Sequence, residues 1–259
     1  MTPKYIVPAV ERTVKLLQAL VQHPRGASLA KLTVETNIPK SSLFRILITL
    51  QHYSLVIYDA ERETYSLGMK LVEWGSVVLD RLDLKVIVHP YLVRLATQMG
   101  YSFYLALLDD CEVILVDRAD TPDIWRIVTR LGQRSPVHCT ASGLVLIAEF
   151  SDTQIDEIIK KKGLPRFTSK TITSVQVLKK KLEKVRKFGY AVADRDYKPD
   201  LFAIAVGIKD HRGKVVASLM TALHSVSTRS KKKLVQSLAK VLQEESYNIS
   251  KRIGYRDHK

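Results

Sequence analysis

Cysteine is nearly absent: Cys111 and Cys139 are the only two in 259 residues. Two thiols so far apart build neither a disulfide scaffold nor a metal knuckle. The fold therefore has to be held by buried apolar surface, which a chain of this length can supply. Long apolar runs are missing too. No stretch approaches the roughly 18 uninterrupted apolar residues of a membrane span, and no basic segment followed by an apolar run opens the chain, so no membrane contact is expected and the cytoplasm is the expected location. Chemistry-bearing patterns are equally scarce. The seven histidines scatter without ligand spacing. Gly143 and Gly163-Leu164-Pro165 belong to no phosphate-cradling motif. Asp109-Asp110 is a turn signal rather than a carboxylate pair. His138-Cys139 would suggest a base and a nucleophile, but neighbours on a strand point to opposite faces, and such a pair normally converges from distant positions. A structural histidine near a strand-to-helix junction is the better reading. No catalytic residue, metal or cofactor is expected, and the chain is not read as an enzyme.

Acidic charge is also in short supply. With 41 Lys and Arg against 26 Asp and Glu, the formal net charge is +15, which favours a polyanionic partner. The charge does not locate that partner, because the lysine runs at 160–162, 179–181 and 231–233 lie in the second half and read first as solvated helix faces. The hydrophobic fraction of 46% and charged fraction of 26% are ordinary for globular chains, and the length suits two domains.

The first seventy residues carry the clearest pattern. Val10, Val14, Leu17 and Val21 recur at helical spacing and predict an amphipathic helix with Glu11, Arg12, Lys15 and Gln18 outside. His23-Pro24-Arg25-Gly26 breaks it. Ser28 predicts an N-cap for a short helix over 29–36, Asn37 a left-handed stop, and Pro39 the entry to a third helix over about 40–52. On that helix Leu43, Ile46, Leu47 and Leu50 form the buried stripe, which leaves Lys40, Ser41, Phe44, Arg45, Ile48 and Thr49 on or near the other face. Two helices joined by a short turn, the second exposing hydroxyls and cations, make a helix-turn-helix. Hydroxyls, Lys and Arg reach phosphates and base edges, and Phe44 suits a thymine methyl. A strand at 55–58, a polar turn at 59–63 and a strand at 64–67 then predict a wing, with Arg62 at its tip. A small helical domain for protein contacts is the competing reading.

Beyond residue 69 a helix is predicted over 70–82, with Leu71, Val78 and Leu82 on one side, and another over 84–100 that Pro90 should kink or restart. A hairpin is predicted at 102–108 and 112–116, a strand at 124–131, and helices at 141–150, 152–162 and 174–187. Strands return at 190–193, 201–208 and 214–221, and a helix over 230–249 closes the chain. Antiparallel strands with helices on their faces indicate an α+β sensor-like domain.

The motifs Val10-Glu11-Arg12, Leu16-Leu17, Ser28-Leu29-Ala30, Ile38-Pro39-Lys40-Ser41-Ser42, Arg45-Ile46-Leu47, Thr49-Leu50 and Tyr65-Ser66-Leu67-Gly68 resemble the reader domain of the IclR-type transcriptional regulators. Leu131-Gly132, Pro136, His138, Thr140-Ala141, Gly143, Phe188-Gly189-Tyr190-Ala191, Ile204-Ala205 and 213–217 extend the resemblance over essentially the whole chain. It implies a winged helix-turn-helix over 1–68, a linker helix over 69–82, and a GAF-like effector-binding and oligomerisation domain over 83–259. The DNA-binding set implied is Lys40, Ser41, Ser42, Phe44, Arg45, Thr49 and Arg62. Positions that contact two- and three-carbon keto acids in the family correspond here to Ile124, Ile127, Ala141, Ser142, Ala193, Leu201, Ala203, Met220 and Ala222. Where such members carry an Asp, a Cys and two Ser, this chain has Ala193, Ala203, Met220 and Ala222. Leu144 also stands where the family usually has lysine, and Ile204-Ala205-Val206-Gly207 replaces Ile-Ala-Ala-Pro. The pocket reads as apolar, suited to a small organic acid with a sizeable, aromatic body. Expected partners are double-stranded operator DNA, that acid, further copies in a homodimer or homotetramer, and RNA polymerase if the protein activates. Two alternatives stay open: a vestigial pocket that merely fills a core, and a non-specific DNA-binding protein.

Overall fold

The computed structural model describes residues 5–80, 83–121, 129–224 and 231–256. Contacts divide the chain into two compact units, Met1–Arg81 and Leu82–Lys259.

The first unit runs α1 (Pro8–Val21), α2 (Leu29–Thr36), α3 (Lys40–His52), β1 (Val56–Asp59), β2 (Thr64–Leu67) and α4 (Lys70–Asp80). Local chemistry sets its corners. Ser28 caps α2 by accepting the Lys31 N–H at 3.3 Å, and Asn37, at φ +53°, turns the chain into α3. β1 and β2 pair antiparallel as a hairpin, and an isolated bridge between Ala27 and Tyr65 ties it back to the start of α2. Leu16, Leu20, Leu32, Leu43 and Leu47 are almost fully buried in the core of this unit, each side chain contributing about 1.5–3 kcal/mol. Gly68 lets the chain leave the hairpin: a Cβ there would stand 2.1 Å from the Ser54 carbonyl oxygen.

The inward face of α1 differs from the prediction. Val10, Val14 and Val21 are 60%, 47% and 52% exposed, while Leu16 and Leu20 are buried. The helix is apolar on two flanks, and periodicity cannot rank them. Packing on α2 and α3 selects the leucine flank, which has more area to bury, and leaves a valine stripe on the surface.

The second unit runs α5 (Asp83–Met99), β3 (Phe103–Asp109), β4 (Glu112–Ala119), β5 (Arg134–Pro136), α6 (Ala141–Leu146), α7 (Asp152–Lys162), α8 (Val175–Phe188), β6 (Tyr190–Asp194), β7 (Leu201–Lys209), β8 (Val215–His224) and α9 (Lys231–Arg252). Six antiparallel strands lie in the order β5-β4-β3-β8-β7-β6. α5 packs on β3 and β4 and α9 on β7, while α6 packs on β3, β6, β7 and β8 and touches α8. The principal core joins residues of the sheet, α6, α7 and α8. A reciprocal capping box of Ser151 and Gln154 opens α7, and Lys160, Lys161 and Lys162 close it, where the helix dipole favours cations.

Several predictions are revised here. Residues 129–131 are not strand, the remainder of the predicted strand lies outside the described residues, and the short β5 takes the edge position. Pro90 sits inside one continuous helix; Val86, whose carbonyl loses its helical donor, is itself 72% exposed, so water can serve it. α6 stops at Leu146, four residues earlier than predicted. The lysine runs are partly paired across elements: Lys162 with Glu112 at 2.9 Å, Lys179 with Asp152 at 3.0 Å, Lys231 with Asp194 at 2.5 Å, and Lys161 with Asp110. No helix among the described residues is long and apolar enough to cross a membrane.

Candidate DNA interface and ligand pocket

The exposed face of α3 carries Lys40, Ser41, Phe44, Arg45, Ile48 and Thr49, with Ser42 half-buried beside them. No acidic residue lies in its first turn. Among the described residues neither Lys40 nor Arg45 has an ion-pair partner, so both charges remain free for phosphates. Thr49 spends its hydroxyl proton on the Arg45 carbonyl at 2.9 Å, which leaves it lone pairs and a methyl. Ser42, Arg45 and Thr49 share a groove with Val10, Arg12 and Thr13 of α1. Arg12 was expected only as a surface residue; nothing in one helix's periodicity says that it will stand beside Arg45.

The hairpin tip is less suited to a polyanion. Asp59 organises the turn by accepting the N–H groups of Glu61 and Arg62 at 3.0 and 3.1 Å. Arg62 is exposed, with its Nε 3.8 Å from the Asp59 carboxylate. Glu61 and Glu63 flank it in sequence.

In the second unit, a cavity of about 80 Å³ opens on one face of the sheet. Ala193, Ala203 and Ala222 lie side by side on β6, β7 and β8, since Ala203 is the register partner of both others. Three small side chains in a row leave the hollow, and Leu201 and Met220 adjoin them. Ala141 and Ser142 complete the set of expected positions that the structure brings together here. Ile124 and Ile127 lie outside the described residues.

Around this apolar floor stand polar groups that single-sequence reading did not select: Gln133, Thr140, Asp196, Tyr197 and Lys198. They come from loops, which have no periodicity to read. Ser142 accepts the Ser218 hydroxyl at 3.0 Å, which leaves its own proton to give. Burial pushes the Asp196 carboxyl above the usual carboxylate range. The start of α6 is a weaker anion site than expected: the helix has six residues, and Thr140 already takes the Gly143 N–H at 3.2 Å. Cys139 lines this cavity, but its thiol is pushed up to about 12 by burial, so it is no nucleophile. His138 points the other way, into a separate cavity. No cluster of three or more potential metal ligands occurs among the described residues.

The comparisons with known proteins agree with this architecture. The family model for the IclR helix-turn-helix domain matches residues 9–60. The model for the bacterial transcriptional regulator IclR C-terminal region matches residues 76–251. The chain is 27% identical to the HTH-type transcriptional regulator XynR of Escherichia coli K12 over 250 residues, covering 96% of this chain and 98% of XynR. Its fold is similar to an IclR transcriptional regulator from Alicyclobacillus acidocaldarius, with a TM-score of 0.81 at 27% identity over 95% of this chain and 98% of that one. A homologue from Microbacterium hydrocarbonoxydans, solved in complex with 4-hydroxybenzoate, has the same fold, with a TM-score of 0.78 at 24% identity over 95% and 98% of the two chains. With a helix-turn-helix unit followed by a GAF-like α+β unit, and family models covering both, this chain belongs to the IclR family of bacterial DNA-binding transcriptional regulators.

Proposed function

We propose that the protein is a one-component regulator in which α3 reads an operator and the first cavity takes a small organic acid, an aromatic one foremost, that controls DNA binding or activation. The observation that carries this reading is the floor of Ala193, Ala203, Ala222 and Met220, which offers contact area and no side-chain donor. A two- or three-carbon keto acid has little surface to bury and needs hydrogen bonds for its affinity. An aromatic ring gains roughly 25 cal/mol per Å² from such a floor. Its carboxylate would meet Ser142, the Lys198 ammonium and Asp196, which donates when protonated. The Microbacterium homologue, solved with 4-hydroxybenzoate, is in keeping with an aromatic acid on this fold.

The cavity's size favours a second reading. Its 80 Å³ is roughly half the volume of an engineered apolar cavity that accepts benzene, about 150 Å³, so a ring must also use the open mouth. In the second reading these residues fill a core and the pocket takes no effector. Calorimetry with benzoate and 4-hydroxybenzoate against glyoxylate and pyruvate separates the two. Tight binding of the keto acids refutes the aromatic assignment, and silence from every ligand supports the vestigial pocket. Met220→Ser should weaken the aromatic acids; no effect on any ligand would move the pocket elsewhere.

Lys40, Ser41, Ser42, Phe44, Arg45 and Thr49 form the reading set, joined by Arg12. Arg62 contributes less because its turn is acidic. One reader covers few base pairs, so we assign a homodimer or homotetramer on half-sites about 34 Å, or a multiple of that, apart. The seam would be the exposed apolar residue Val14 of α1 with Val72, Trp74 and Val77 of α4. The working place of such a regulator is the cytoplasm, with RNA polymerase as a further partner if it activates.

A further inference from the structure

A second cavity of about 190 Å³ lies beneath α7, between the start of β4, the chain from β5 to α6, and α8. It is larger than the first by the same measure. Its α7 side is aliphatic, formed by Ile155, Ile158 and Ile159. The charged groups in its wall, Glu112 and Lys162, are paired with each other at 2.9 Å.

His138 is the group that a plain core does not explain. It is 2% exposed and lines this cavity. Its Nε2 donates to the Pro165 carbonyl oxygen at 3.1 Å. A carbonyl only accepts, so the ring proton is on Nε2 and Nδ1 carries a lone pair. The ring makes no other hydrogen bond among the described residues. Burial pushes the imidazole below its ordinary range, which keeps it neutral at pH 7. Nδ1 has no protein donor, and the cavity that His138 lines has room for a molecule that brings one in place of water.

We propose that this second cavity binds an uncharged, hydroxyl-bearing small molecule of phenol size, whose O–H donates to Nδ1 of His138 while its ring lies against the α7 isoleucines. An anion would face the His138 lone pair, and the Lys162 ammonium that could draw it is already paired with Glu112. A metal ion would lack ligands. The volume exceeds the roughly 150 Å³ at which an engineered apolar cavity takes benzene. The site is independent of the effector assignment above, but the two cavities share a wall. His138 and Cys139 face opposite ways from adjacent positions. The Phe167 ring stands 6.1 Å from His138 and 5.1 Å from Tyr197, which lines the first cavity.

The test uses 4-bromophenol, with bromobenzene as the analogue lacking a hydroxyl. Calorimetry on the full chain should give one saturable site for 4-bromophenol and roughly tenfold weaker binding of bromobenzene, the worth of one hydrogen bond. His138→Phe should bring 4-bromophenol down to the bromobenzene level. Ala203→Phe, which fills the first cavity, should change its affinity by less than about twofold. The anomalous signal of bromine in wild-type crystals decides the location even if His138→Phe does not fold. Bromine beneath α7 supports the site. Bromine only in the first cavity or only on the surface, or no saturable binding at millimolar concentration, overturns it.

Discussion

Gly143→Ala tests how tightly α6 is pressed onto the chain that walls both cavities. A Cβ at Gly143 would stand 2.3, 2.4 and 2.7 Å from the Cα, O and C of Val137. All three are backbone atoms, so no rotamer change relieves the contact. α6 and the 137 segment must move apart by about 1 Å in an interior that has no such slack. Overpacking of this kind costs about 1–3 kcal/mol, and the absence of a yielding side chain puts it at the top of that range. Alanine recovers up to about 1 kcal/mol of helix propensity and unfolded-chain entropy. The clash wins, with a net loss of about 2 kcal/mol. For a unit of this size that is a fall in Tm of roughly 4–8 °C, readable by scanning calorimetry. Because Ala141 and Ser142 move with α6, ligand binding in the first cavity should weaken as well. Gly75→Ala is the control: nothing lies within 4 Å of its Cβ position on α4, so the same substitution should be neutral or stabilising there. An unchanged or raised Tm for Gly143→Ala would show that the approach of α6 to Val137 is not a tight contact, and would refute the reasoning.

Three further outcomes are expected. Arg45→Ala should weaken binding to a selected operator by about 5- to 150-fold, concentrated at one base pair if it reads guanine and uniform with a shallower salt slope if it meets phosphate. Arg62→Ala should do much less, and unchanged binding by both variants would remove α3 from the interface. Asp196→Asn should stabilise the protein at neutral pH, because burial raises the folded-state pKa above the ordinary 3.8. By linkage the contribution of Asp196 alone is fully present below about pH 3.8 and is lost as pH rises through the raised value. The variant's advantage should therefore vanish in acid, and an advantage that persists unchanged there would contradict the burial argument. Val14→Asp should shift sedimentation from a dimer or larger species toward the 29.3 kDa chain; a wild-type monomer would already exclude the proposed seam.

Some of this protein was decided within single stretches of its chain. Ser28, Asn37 and Pro39 act on their own neighbours, so the boundaries of α2 and α3 follow from local capping and turn preferences. The exposed side of α3 was readable for a related reason: Leu43, Leu47 and Leu50 make one strong apolar stripe, and Lys40 and Arg45 have only the opposite side to occupy. α7 could be read to the residue, since the Ser151 and Gln154 capping box and the terminal glycine are local signals. His138 and Cys139 do line different cavities, but not as strand neighbours: β5 ends at Pro136 and residues 137–140 bend.

Tertiary structure decided the rest. α1 has two apolar flanks of similar period, and only the surface offered by α2 and α3 chose between them. Arg12 meets the α3 face because two helices cross, which no one-dimensional pattern encodes. The alanine row of β6, β7 and β8 is a matter of strand register among segments far apart in sequence. Asp196, Tyr197 and Lys198 enter the first cavity from a loop, where periodicity carries no signal. The cavity under α7 is least legible of all, because an empty volume is a residue of imperfect packing between whole elements, and no residue type or spacing announces it.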